Sequence, residues 1–163
     1  MKIDAWAFRQ AMSQFASGVT VVTTVENGTP YGLTASSFTS LSMDPPLVLV
    51  CLSKRLETHA TIERAGVFAV NILSAAQREL GMRFAGLLPD VDDRFAGLEW
   101  KSAMTGAPLL NHCLAWVDCR LHAVHEGGDH SIFVGRVEAV GEVQPGEPLL
   151  YHNRTWGRGL FEE

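Results

Sequence analysis

The chain has few of the features that mark a secreted, membrane-spanning or nucleic-acid-binding protein. Three cysteines, Cys51, Cys113 and Cys119, occur among 163 residues. They are odd in number and show no closely paired spacing, which argues against a disulfide framework and for free thiols in a reducing compartment, the cytoplasm. The longest apolar run, residues 47–52 behind Pro45 and Pro46, is far too short to cross a bilayer. Residues 1–15 mix charged with apolar side chains and lack a signal-peptide layout. No block of Lys or Arg occurs, and the net charge is −5, so nucleic acid is a poor partner and any bound phosphate must sit in a local pocket of donors. A Gly-x-Ser-x-Gly elbow is missing, which disfavours nucleophilic hydrolysis. The dinucleotide fingerprint of a parallel sheet is missing too, since Gly157-Arg158-Gly159 stands at the very end of the sequence.

What is present reads as one ordinary globular domain of 163 residues with 47% apolar and 19% charged side chains, a composition that supports a packed core. No internal repeat or linker divides it. Asp4 suits a helix N-cap, and Phe8, Met12 and Phe15 then recur at helical spacing up to Gly18. Residues 19–25 are rich in β-branched side chains, Asn27-Gly28 is a tight-turn pair, and residues 30–34 resume an extended pattern, which predicts a hairpin. Residues 47–52 predict a strand buried on both faces. A helix over 57–65 closes at Gly66, a strand follows over 68–72, and Ser74 with Gln77 opens a helix to about Phe84. Residues 87–106 have little periodicity and read as a long, partly ordered excursion.

Two more strands are predicted, over 114–124 and 131–140. In the first, Ala115, Val117, Cys119, Leu121 and Ala123 form an alternating core face, while Leu114 and Trp116 on the opposite face suit a dimer surface. Hairpin-linked strands with only short flanking helices predict a mainly β fold, an antiparallel split barrel, and not a parallel sheet.

Two clusters could carry chemistry. Residues 34–40 (TASSFTS) combine small side chains with hydroxyls, which would admit a ligand to backbone amides; equally, they suit a strand end whose hydroxyls satisfy local backbone groups. Gly127-Gly128-Asp129-His130 could turn an imidazole toward a ligand with Asp129 fixing its tautomer or orientation; a plain glycine turn with an exposed acid and histidine is the other reading. Arg83-Phe84 could supply a guanidinium and a ring, or a surface Arg beside a core Phe. A metal site is disfavoured, because Cys119 and His122 point to opposite faces of a strand.

In this order, residues 15–23 (FASGVTVVT), 32–38 (GLTASSF), 40–48 (SLSMDPPLV), 68–73 (FAVNIL), 84–86 (FAG), 128–130 (GDH) and 148–151 (PLLY) resemble the short-chain flavin reductases, the reductase components of two-component flavin monooxygenases. The resemblance runs from Phe8 to about Leu160. It implies a split β-barrel that dimerises and binds FMN or FAD at the subunit interface. Thr34, Ala35, Ser36 and Ser37 would line the flavin ring and ribityl chain, Cys51, Leu52 and Ser53 would continue that wall, Lys54, Thr58 and Arg83 would lie near the phosphate, and Phe84 would be a further flavin-binding residue. Gly128, Asp129 and His130 would receive the nicotinamide of NADH or NADPH, with Tyr151 and Trp156 closing that side. His130 would orient the nicotinamide and act as neither nucleophile nor obligatory proton donor. A separate flavin-dependent monooxygenase would consume the reduced flavin. Two departures from the family pattern stand out: Gly81, where many relatives carry a polar residue, and the tail over 155–159 (TWGRG). A non-catalytic flavin or haem carrier on the same barrel is the competing reading, and an oxidase of the pyridoxine-phosphate type has little support from the dispersed Arg and Lys residues.

Overall fold

A computed structural model describes residues 3–159; Leu160, where the resemblance ends, lies outside the described residues. The strands are β1 (Ser17–Gly18), β2 (Thr20–Glu26), β3 (Thr29–Ala35), β4 (Thr39–Met43), β5 (Pro46–Ser53), β6 (Val67–Ile72), β7 (Trp100–Lys101), β8 (Leu109–Leu110), β9 (Ala115–Gly127), β10 (His130–Val140), β11 (Leu149–His152) and β12 (Thr155–Arg158). Helices α1 (Ala5–Ser13), α2 (Glu57–Ala65) and α3 (Arg78–Phe84) flank them. Seven strands form one sheet in the order β3-β2-β6-β9-β10-β5-β4, with every pairing antiparallel. Its edge strands β3 and β4 are consecutive in the chain. The short link through Ser36, Ser37 and Phe38 therefore brings the two edges of the sheet together, the split of the expected barrel. None of the described helices is long and apolar enough to cross a membrane.

The Asn27-Gly28 turn forms as predicted, with φ of 51° and 80° at its two residues, and sets β2 against β3 from Thr20↔Ala35 to Glu26↔Thr29. The barrel core gathers Val22, Val50, Leu52, Phe68 and Phe133, all at most 1% exposed. A second core, containing Val21, Leu73, Phe84, Phe95 and Leu149, lies between the sheet and α3.

Several elements differ from expectation. Helix α1 stops at Ser13, because Ser17 and Gly18 pair with Tyr151 and Leu150 of β11. β5 is buried on one face only. Val48, Val50 and Leu52 point inward, whereas Leu49, Cys51 and Ser53 are half-exposed. In β9 a register shift beside Leu121 changes the phase of the alternation, so Val124 and not Ala123 continues the core face after Val117, Cys119 and Leu121. Leu114 and Trp116 do not form a free surface within the chain. The Leu114 methyl packs where a side chain at Gly146 would go, and the Trp116 ring lies against Gly141 with the Lys101 ammonium 5.8 Å from its centroid. Residues 87–106 are held rather than loose: Phe95 is buried edge-on to Phe84 at 5.0 Å, and Thr105 donates to the fully buried Asp118 carboxylate through both its backbone N–H and its hydroxyl.

Candidate active site

The first half of the site is built where β3 bends into β4 against β5. Ser37 Oγ donates to the Cys51 carbonyl at 2.8 Å and accepts the Cys51 N–H at 3.1 Å. One side chain thus does for β5 what a neighbouring strand would, and it pins the bend. Thr34 Oγ1 donates to the Gly81 carbonyl at 2.6 Å, and Thr20 Oγ1 to the Ala35 carbonyl at 2.8 Å. The hydroxyls of Thr34 and Ser37 therefore satisfy local backbone groups, and Ser36 stands exposed at the apex. Small side chains at 35–37, with Cys51 and Ser53 beside them on the open face of β5, leave a shallow shelf edged by backbone. Leu52 turns its side chain into the core at 1% exposure, so it can offer a ligand only backbone.

The second half is the β9–β10 turn. Gly128 takes φ of +77°, a conformation that favours glycine, and it lets the chain reverse so that His130 pairs with Gly127 on one side and with Ser53 on the other. The Lys54 N–H donates to the Asp129 carbonyl at 3.1 Å, tying the turn to the end of β5. Asp129 Oδ1 lies 2.8 Å from His130 Nδ1. The carboxylate accepts there, so Nδ1 carries the hydrogen and Nε2 is the nitrogen left to meet a ligand. This hydrogen bond, with the charge of His130, holds the Asp129 carboxyl below the usual carboxylate range. At the foot of the turn Lys54 pairs with Glu126 and lowers that carboxyl in the same way.

β5 joins the halves. Ser37 is bonded at Cys51 and His130 is registered opposite Ser53, two residues further on, which in an extended strand is roughly 7 Å.

Beyond the shelf a cleft of about 440 Å³ opens between β3, the first turn of α2 and residues 92–95, with Tyr31, Gly32, Thr58 and Arg94 in its lining. Phe84 cannot be a stacking wall there: it is 0% exposed, and its ring packs at the position a side chain on Gly32 would need, 2.7 Å away. It supports β3 from behind. Arg83 is also committed, since its guanidinium donates to the carbonyls of Asp93 at 3.1 Å and Ala96 at 2.5 Å. The cation lining the cleft is Arg94, whose Nη1 donates to the Gly32 and Phe84 carbonyls. A signal for it was available, because the pentapeptide RFAGL occurs twice, at 83–87 and 94–98, an echo at odds with the expectation of no internal repeat.

Tyr151 and Trp156 face each other across the β11–β12 hairpin at 5.4 Å. Trp156 lies against Gly81, where an added Cβ would come within 2.9 Å of the ring. Gly81 and the 155–159 tail, the two places expected to depart from the family pattern, thus meet in space, with an indole edge where an added side chain at Gly81 would go. Because Gly81 also receives the Thr34 hydroxyl, this aromatic pair stands behind the shelf.

The sequence matches the family described as flavin reductase like domain over residues 12–159. It is 43% identical over 150 residues to the reductase subunit HsaB of a flavin-dependent monooxygenase from Rhodococcus jostii (strain RHA1), covering 92% of this chain and 75% of that one. It is 43% identical over 154 residues to the FMN reductase (NADH) RutF 2 of Methylorubrum extorquens (strain PA1), covering 94% and 89%. The fold superposes on the NADH:FAD oxidoreductase SgcE6 of Streptomyces globisporus C-1027 with a TM-score of 0.89 at 34% identity, covering 100% of this chain and 94% of that one; a structure of SgcE6 in complex with NAD and FAD fragments superposes equally well, with a TM-score of 0.88. With the split antiparallel sheet and the ordered motifs on it, these matches show that the chain belongs to the flavin reductase like family.

Proposed function

We propose that this protein is an NAD(P)H-dependent flavin reductase whose two ring-binding sites meet along the outer face of β5. The observation that carries this reading is the juxtaposition of the Ser37 bend and the His130 turn, set on β5 at Cys51 and Ser53.

The residues fit a flavin. The shelf offers small side chains, an exposed Ser36 hydroxyl and strand-edge backbone, which suit a flat heterocycle with polar rims. The cleft lined by Thr58 has the size for a phosphate-bearing tail, and its lining sets Arg94, whose guanidinium already donates to two carbonyls, beside Glu57, Asp92 and Asp93. A bound flavin, FMN or FAD, would accept a hydride from the nicotinamide and supply the redox chemistry. The chain's own work is orientation. Ser37 fixes the level of the shelf, and Asp129 holds the His130 imidazole with Nε2 outward to engage the nicotinamide carboxamide. Alignment of this kind can contribute about 7–11 kcal/mol to a two-substrate step. His130 stands half-exposed at the start of β10 with Asp129 on its Nδ1, which suits a positioning and binding role.

Reduced flavin would then pass to a separate flavin-dependent monooxygenase. A second copy of the chain is the other expected partner. α1 buries none of its own residues, and Trp6, Phe8, Met12 and the adjoining Phe15 remain exposed on it, an apolar surface that a homodimer would cover. The three free thiols agree with the cytoplasm. Nicotinamide oxidation followed by absorbance with NADH or NADPH and FMN or FAD tests the activity; turnover in one or more of the four combinations is expected, and none in any combination rejects it. His130→Ala is expected to raise the nicotinamide KM more than the flavin KM, and an unchanged nicotinamide KM rejects the role of the turn.

A further inference from the structure

Beneath the site lies a buried polar contact that the proposed chemistry does not use. His59, in the first turn of α2, is 6% exposed, and its Nε2 lies 2.9 Å from the hydroxyl of Ser131, itself 1% exposed. The imidazole stands edge-on to Phe133 at 4.8 Å, and its Nδ1 is 3.6 Å from the Glu63 carboxylate one turn along the helix. The ring is thus held on three sides by the helix and the strand, with its one short hydrogen bond made across the gap between α2 and β10.

The neighbours of this pair in the sequence give it significance. Ser131 directly follows His130, so on an extended strand one side chain points inward while the other points outward. His59 directly follows Thr58, and adjacent positions on a helix are about 100° apart, so Thr58 turns to the cleft while His59 turns to the strand. One buried hydrogen bond therefore joins the element that lines the cleft to the strand that presents the nicotinamide-side histidine. Both partners are almost enclosed, so they are placed to hold the geometry of the site and not to meet a substrate. A buried polar pair of this sort costs desolvation unless its geometry is kept, which makes it a stiff spacer.

Resting on the reading given under Proposed function, we infer that His59 and Ser131 are positioning residues that fix the separation of the flavin-side and nicotinamide-side halves of the site.

The test uses Ser131→Ala, His59→Phe and His59→Gln, the double variant Ser131→Ala/His59→Phe, and His130→Ala as the marker of the nicotinamide site. Binding of NAD+ to the FMN-loaded protein is measured by calorimetry, where no hydride is available to transfer, and FMN binding to the flavin-free protein by fluorescence quenching. Ser131→Ala and His59→Phe are each expected to weaken NAD+ binding about fivefold, the worth of one hydrogen bond, with FMN binding changed by less than about twofold on the same scale. The double variant is expected to match the singles, because both delete one contact. His59→Gln keeps a side-chain amide that can either donate to or accept from the Ser131 hydroxyl and is expected to recover most of the loss. If His59→Phe does not fold, Ser131→Ala and His59→Gln still decide the matter. Equal weakening of NAD+ and FMN, no weakening of either, or additive effects in the double variant overturn the inference while leaving the function intact, provided His130→Ala does weaken NAD+. Should His130→Ala leave NAD+ binding unchanged, the assignment of the nicotinamide site itself fails and the positioning role falls with it.

Discussion

Ser37→Ala removes the side chain that pins the β3–β4 bend. The Ser37 hydroxyl makes two bonds to one residue, 2.8 Å to the Cys51 carbonyl and 3.1 Å from its N–H, and no strand neighbour replaces them there. Each bond is worth about 0.5–1.5 kcal/mol net, and the two half-buried backbone groups left behind regain only part of that from water, so about 2 kcal/mol is expected to be lost. For a protein of this size that corresponds to a fall in melting temperature of about 4–8 °C. The same bonds set the height of Ser36 and Cys51, so the variant is also expected to bind FMN more weakly by about fivefold or more, since each 1.4 kcal/mol is tenfold. Ser37→Thr keeps the hydroxyl and is expected to recover both properties. Circular-dichroism melts and fluorescence titration with FMN measure the two effects. A melting temperature within about 1 °C of wild type, with unchanged FMN affinity, would refute the reasoning that this bend is a constructed shelf.

Three other perturbations follow from the packing. A methyl at Gly135 would lie 2.4 Å from the Phe68 ring and 2.9 Å from the Cys119 Cβ, so Gly135→Ala should cost about 1–3 kcal/mol in denaturant titration, and Phe68→Leu should restore part of it. Asp118→Ala strips the half-buried Thr105 of both its acceptors at the fully buried Asp118 position and should cost about 3 kcal/mol, with residues 102–107 becoming the first point of limited proteolysis. Burial raises the Cys113 thiol from 9.0 to about 11 and the Cys119 thiol to about 12, the latter with help from Asp118 and Glu138. Their protonated forms therefore contribute stability in full below pH 9, and that contribution is lost as pH rises through about 11–12, because the unfolded chain releases these protons first. Chemical unfolding between pH 8 and 11 should show the decline, and at pH 8 a maleimide should label the half-exposed Cys51 well before the other two.

The elements legible in the sequence were those whose signals are local. Asn27-Gly28 announces its hairpin because positive φ is needed at both positions, and β2 announces itself by its β-branched run. The Gly128 turn and the 34–37 segment were likewise visible as composition. What composition could not supply was which hydroxyl binds what. The Ser37–Cys51 and Thr34–Gly81 bonds join residues 14 and 47 apart in sequence, and only closure of the sheet brings them together. For the same reason the sequence leaves Phe84 open between a stacking ring and a core side chain, and Arg83 between a phosphate cation and a surface residue; in the fold Phe84 is the floor under Gly32 and the Arg83 guanidinium fastens residues 93–96. The phase of β9 was lost at a single register shift, which no alternation pattern reveals. His59 gives no signal in the sequence, because a histidine in a helix first turn carries no pattern of its own.

A co-crystal structure with FMN and NAD+ bears most directly on whether β5 brings two ring-binding sites together. The flavin ring is expected on the backbone of residues 35–37 with Cys51 and Ser53 at its edge, and the nicotinamide over it within reach of His130 Nε2. A flavin ring seated away from β5, or a nicotinamide that meets neither Gly128 nor His130 of any subunit, would contradict the account.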